Sequence, residues 1–126
     1  MIELKDISVR FADVDVLNNI SLRVEKEEVV GLIGPAASGK TVLIKTIAGL
    51  TQVAKGELFI KDERVEHLHL DERASWQAQV GMSFQNNALF DGFSVFDNVA
   101  FPLRRKGVAE SDISSRVEQR LNDVGL

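Results

Sequence analysis

The segment that most restricts this chain is Gly34-Pro35-Ala36-Ala37-Ser38-Gly39-Lys40-Thr41, two glycines five positions apart followed by lysine and threonine. It sits between two differently patterned stretches. Val29-Val30-Gly31-Leu32-Ile33 is continuously apolar, as in a strand buried on both faces of a parallel sheet. From Lys40 to Leu50, the residues Val42, Leu43, Ile44, Ile47, Ala48 and Leu50 form a helical stripe that Gly49 and Thr51 end. A strand, a glycine-containing loop and a helix in this order bring free backbone N–H groups and the positive end of a helix dipole to one place, where they attract an anion. The spacing satisfies G-x-x-x-x-G-K-[ST], the cradle for nucleotide phosphates. Gly39 lets the backbone approach phosphate oxygens and take positive φ. Lys40 is expected to reach the β- and γ-phosphates, and the Thr41 hydroxyl to hold Mg²⁺, which takes few protein ligands beside phosphate oxygens.

Around this loop the chain reads as α/β. Ile2, Leu4, Ile7, Val9 and Phe11 alternate with polar residues, with one irregularity near Asp6. Residues 16–25 form a second strand with a bulge at Asn18-Asn19, and the short connection makes the two antiparallel. Residues 57–65 suggest an edge strand, 71–79 a short helix and 80–84 a second buried strand. Ser94 and Asp97 have capping-box spacing ahead of a helix that Pro102 should end or kink. Ser111 or Asp112 is expected to cap a last helix with Ile113, Val117, Leu121 and Val124 on one face. The expectation is a phosphate-loop core with a mainly parallel sheet, an N-terminal antiparallel β subdomain, and the start of a helical subdomain. The first two occupy about 1–93 and the last 94–126.

Composition removes several alternatives. The 126 residues contain no cysteine, so disulfides and thiolate metal sites are excluded. A formal net charge of −4 argues against a nucleic-acid partner, and Arg104-Arg105-Lys106 reads as a solvated face. No basic region followed by an apolar run marks a leader, and no apolar stretch approaches the ~20 residues that span a bilayer. Any membrane association is therefore expected to go through a partner. His67 and His69 read as surface residues.

With the loop placed, the whole chain resembles the N-terminal half of an ATP-binding cassette (ABC) ATPase subunit. Phe11, 23 residues before Gly34, stands where that family has its adenine-stacking aromatic, and Gln85 matches its Q-loop glutamine. The segment Leu50-Thr51-Gln52-Val53-Ala54-Lys55-Gly56-Glu57-Leu58 looks like the glycine turn and strand after the family's phosphate-loop helix. The resemblance implies ATP and Mg²⁺ as cofactors. Phe11 and residues 34–41 with Val42 would contact the nucleotide, Thr41 and Gln85 the metal, and Gln85 the reacting water. It also implies a homodimer of ATPase subunits on a transmembrane permease, cytoplasmic and peripheral on the inner face of a bacterial plasma membrane. A narrower resemblance, Gln85-Asn86-Asn87-Ala88-Leu89-Phe90 followed by Val95-Phe96-Asp97-Asn98-Val99-Ala100-Phe101-Pro102-Leu103, is to the Mla-type ATPases of phospholipid transport. There Leu89, Phe90, Phe93 and Phe96 would meet the permease. An importer ATPase for another substrate, or a non-hydrolysing nucleotide-binding module, remains open. A phosphate-loop kinase or GTPase explains neither Phe11 nor Gln85.

Two features depart from the family pattern. Ala37 replaces the usual glycine, at a cost of order 1 kcal/mol if φ is positive, and is expected to weaken binding. No run of four apolar residues ending in Asp-Glu follows Gln85, and no Leu-Ser-Gly-Gly is present. Binding without turnover, and an exposed apolar sheet edge, are the expectations for these 126 residues.

Overall fold

The two longest strands, of ten and eleven residues, pair with each other. In the computed structural model, which describes every residue except His69 and Asn87 and omits the side chains of Leu70 and Asp71, β1 (Ile2–Phe11) and β2 (Val14–Val24) form an antiparallel hairpin. β3 (Lys55–Ile60) pairs with the other side of β1, and β4 (Glu63–Arg64) with β3, giving the order β2-β1-β3-β4. The register sets Leu4 opposite both Leu22 and Leu58. Leu4, Ile7, Val9, Leu17 and Leu58 are buried and pack with Leu43, Val65 and Trp76. Each large aliphatic side chain removed from water in this cluster contributes about 1.5–3 kcal/mol.

The irregularity near Asp6 is a β-bulge. Asp6 has φ 51° and Asn19, on β2, has φ 50°. Asp6 N–H donates to Ser21 Oγ (3.0 Å) and Asn19 N–H to the buried Ser8 Oγ (3.1 Å), so side-chain hydroxyls satisfy groups that the bulge withdraws from the ladder. The stretch expected as one edge strand is instead a tight hairpin. Lys61 and Asp62 both have positive φ (50° and 68°), the conformation of a two-residue I′ turn, without the Asn-Gly pair that usually announces it.

The helices are α1 (Lys40–Ile47), α2 (Leu70–Gln77), α3 (Val95–Arg105) and α4 (Glu110–Asp123). α1 buries Leu43 and Thr46. Residues Met1–Met82 and Ser83–Leu126 form two compact units. The second has its own core of Ala100, Ile113 and Val117, with Phe96, Val99, Leu103, Val108 and Leu121 around it.

Three expectations need correction. Among the described residues there is no parallel strand pairing, and neither 29–33 nor 80–84 is a strand. Val29 is 97% and Ile33 100% exposed. Continuous apolar composition marks a segment suited to burial between neighbours, but parallel pairing needs strands alongside, and the four strands present pair only among themselves. Residues 29–33 are thus an exposed apolar segment rather than the exposed sheet edge expected. Of the two outcomes expected at Pro102, ending the helix does not occur: Pro102 lies inside α3, which continues to Arg105. α4 starts at Glu110 behind Ala109 without a side-chain cap, so neither Ser111 nor Asp112 caps it.

Ser94 does cap α3. Its Oγ accepts from Asp97 N–H (3.0 Å) and donates to the Asp97 carboxylate (2.6 Å). Arg104 then joins α3 to α4, donating to Asp97 (2.8 Å) and Glu110 (2.7 Å). Bonds from Ser94 and then Arg104 hold Asp97 below its ordinary pKa, and the Arg104 bond does the same for Glu110. Depressed folded-state values mean that this contribution is complete above the unfolded pKa values, near 4, and is lost as pH falls through the folded ones. Amide protection at Ile113 and Val117, taken relative to the intrinsic exchange rate at each pH, should fall below about pH 4, and Arg104→Met should reduce that acid sensitivity.

Candidate functional site

Gly39 ends the glycine-containing loop and N-caps α1 with φ 89°. An added Cβ there would lie 2.7 Å from Leu17 Cδ2 and 3.2 Å from Val16 O. The loop is thus pressed against β2, which carries buried Leu17, and only glycine meets both demands. Leu43 N–H donates to Gly39 O (2.9 Å), and the first turn of α1 carries no acidic residue. No local carboxylate opposes an anion at this helix N-terminus.

Lys40 folds back into the loop. Its ammonium donates to Gly34 O (2.8 Å), Pro35 O (2.6 Å) and Ser38 Oγ (3.2 Å), which uses all three of its protons. A cleft of about 180 Å³ lies beside it, lined by Val16 and residues 37–42. Ammonium, helix N-terminus, Thr41 hydroxyl and loop backbone make a donor set suited to polyphosphate, with one hydroxyl available for a hard cation that keeps most of its ligands as water and phosphate. No pattern in the sequence marks Val16. Its place on β2 beside the loop follows from the hairpin register, which alternation alone does not give.

Ala37 has φ 61°. The left-handed conformation belongs to the folded loop itself, so its cost bears on folding stability. Replacing alanine with glycine removes about 1–2 kcal/mol of strain and returns about 0.4–1 kcal/mol through the freer unfolded chain. Ala37→Gly should therefore raise unfolding stability by about 0–1.6 kcal/mol. It should alter ATP affinity less than about threefold. Denaturant titration and calorimetry on the same variant check both.

Phe11 ends β1 half exposed, opposite Val14 across the hairpin. Arg10 braces that hairpin with two bonds to the Asp15 carboxylate, 2.5 and 2.9 Å. β2 continues from this tip to Val16 at the loop cleft, so Phe11 and the loop are carried by one hairpin. Gln85 belongs to the second unit, where it is exposed in a turn with Asn86. Asn87 and His69 lie outside the described residues.

Within the second unit, Phe90, Phe93 and Phe101 cluster with ring centroids 5.0, 4.8 and 6.2 Å apart. Leu89, Phe90 and Phe93 are exposed, while Phe96 packs on the Ala100–Ile113 core, which removes Phe96 from the expected surface patch. Asn98 organises this shelf: its Oδ1 accepts from Phe90 N–H (2.8 Å) and its Nδ2 donates to Phe90 O, Phe93 O and Ser94 O (3.2, 3.3 and 3.0 Å). Among the described residues no helix is long and apolar enough to cross a membrane.

Comparison with known proteins agrees with this geometry. A family model described as ABC transporter matches residues 17–126. The chain is 37% identical over its full length to the spermidine/putrescine import ATP-binding protein PotA of Pseudomonas aeruginosa, covering 33% of that protein. It is 39% identical over 127 aligned residues to the chloroplastic protein trigalactosyldiacylglycerol 3 of Arabidopsis thaliana, covering 36% of it. The chain thus spans about a third of the length of these relatives. A dimeric structure of the ATP-binding cassette MJ0796 bound to ADP and Pi superimposes with TM-score 0.88 at 25% identity, over 97% of this chain and 56% of that one. The loop at residues 34–41, the hairpin that carries it and the family match over residues 17–126 place this chain in the ABC transporter family.

Proposed function

We propose that this chain is the nucleotide-binding part of an ABC transporter ATPase and that residues 34–41, with Val42, hold the phosphates of Mg-ATP. Lys40 exchanges its loop carbonyls for the β- and γ-phosphates, Thr41 offers its hydroxyl to Mg²⁺, and Phe11 stacks on adenine. Gln85 would approach the metal and the reacting water. The observation that carries this reading is the Lys40 ammonium held inside a loop that opens onto the acid-free N-terminus of α1. The whole protein would hydrolyse ATP as a homodimer on a permease, at the inner face of a bacterial plasma membrane. The 126 residues themselves bind nucleotide without turning it over.

Calorimetric titration tests the binding claim. ATP with Mg²⁺ should bind at least about tenfold more tightly than AMP, the equivalent of two charge-assisted phosphate contacts discounted for exposure. Equal affinity for ATP and AMP would remove the phosphate loop as the binding determinant.

The cargo we favour is lipid. The stretch from Gln85 to Leu103 resembles the Mla-type ATPases, and one relative is named for a glycolipid. Relatives named for spermidine/putrescine and methionine import support the second reading, an importer ATPase for small solutes. Stimulation of the intact transporter's ATPase by phospholipid, but not by polyamine or methionine, would separate the two.

A further inference from the structure

Trp76 is the chain's single tryptophan and is 6% exposed. Its Nε1 is the one buried side-chain polar atom left without a partner among the described residues. Indole N–H is a donor only, and such groups in folded proteins are paired with protein or with ordered water. The ring packs against Gly49, at the far end of α1 from the phosphate loop, where a Cβ would come within 2.6 Å of it. Beside it lies a cavity of about 10 Å³, whose walls include Thr46, Gly49, Leu58, Glu66 and Arg73.

We propose that this cavity is a hydration site holding one ordered water molecule that cross-links α1, α2 and the segment after β4. The room is that of a single water, and the walls are polar enough to keep it. The hydrogen-bond inventory fits one water and little else. Thr46 spends its hydroxyl proton on Val42 O (2.8 Å), so its oxygen can still accept. Arg73 donates through Nε to Leu68 O (2.8 Å) and through Nη2 to Glu66 O (2.9 Å), two of its five N–H groups. Glu66 accepts from Leu58 N–H (3.0 Å) and from Arg64. Burial works to raise its pKa, but the bonds from Leu58 and Arg64 outweigh it and hold the carboxyl below its ordinary value. It is therefore an anion with lone pairs to spare. The water accepts from Trp76 Nε1 and donates to Thr46 Oγ1 and Glu66, three bonds in all, the usual number for a buried water. A metal ion does not fit, because the indole presents a proton. The site lies in the first unit, away from the nucleotide loop, and together with the Gln77 bond to Gly49 O (3.0 Å) it ties the rear of α1 to α2.

A high-resolution crystal structure of the chain decides the matter. One water oxygen should lie about 2.7–3.2 Å from Nε1. An empty cavity, or an indole bonded directly to a protein oxygen, overturns the proposal. In solution the single indole N–H should show a nuclear Overhauser effect to water. Absence of that effect overturns the proposal equally.

Discussion

Lys40→Met should bind ATP roughly 10- to 100-fold more weakly than the parent chain, the loss of a hydrogen-bonded charge worth about 1.5–3 kcal/mol. AMP, which lacks the phosphates that the lysine is positioned to reach, should bind as before. The variant should keep its stability within about 1 kcal/mol, since the three bonds that Lys40 makes within the loop end on exposed groups that water can satisfy. These expectations together distinguish a phosphate contact from a structural plug. If Lys40 served mainly to fasten Gly34 and Pro35, the variant would lose stability, and affinity for ATP and AMP would fall in parallel. Calorimetry with both nucleotides, set beside a denaturant titration, reads the difference. ATP affinity unchanged within threefold would sink the assignment.

Local patterns in the sequence foretold local structure well. Gly39-Lys40 marks the start of α1, Ser94 and Asp97 mark the cap of α3, and Ile113 and Val117 mark the buried face of α4, because each depends on groups within a turn of one another. The segments 29–33 and 80–84 show the opposite case. Their composition tells which environment they suit, but ladder pairing is a property of two strands, and no strand pairs with either among the described residues. The hairpin turn at Lys61-Asp62 is illegible for a different reason: Asp62 tolerates positive φ but Lys61 does not favour it, and the pairing of β3 with β4 imposes it there. Likewise, Val16 enters the loop cleft through the register of β2 on β1, and Asn98 organises the aromatic shelf through four bonds to a preceding loop, contacts that no periodicity encodes.

Gly56→Ala should be the most destabilising single-methyl addition in the first unit, by about 3 kcal/mol or more. The apolar positions of β1 change phase between Leu4 and Ile7, and the structure shows why. Lys5 pairs with Glu57 and Ser8 with Lys55, so Asp6 and Ile7 together face Gly56, two residues against one. Gly56 has φ 94°, and a Cβ there would meet Lys5 O and Asp6 O at 2.5 Å. The left-handed backbone costs alanine about 1–2 kcal/mol, and moving main-chain carbonyls aside adds about 1–3 kcal/mol. Gly107 supplies the control: its φ is 71°, but no atom lies within 4 Å of its added Cβ, so Gly107→Ala should show the backbone cost alone, near 1 kcal/mol. Urea titration of the two variants separates the terms, and similar losses in both would show that contact with the bulge contributes nothing. The consequence reaches the site, because the bulge sets the phase of β1 beyond Asp6. A chain that accommodated the methyl by straightening the bulge would shift the strand by one residue and turn Phe11 to the other face of the sheet. Weaker ATP binding with unchanged affinity for inorganic triphosphate would then be the mark of a displaced Phe11, since triphosphate needs the loop but not the aromatic ring.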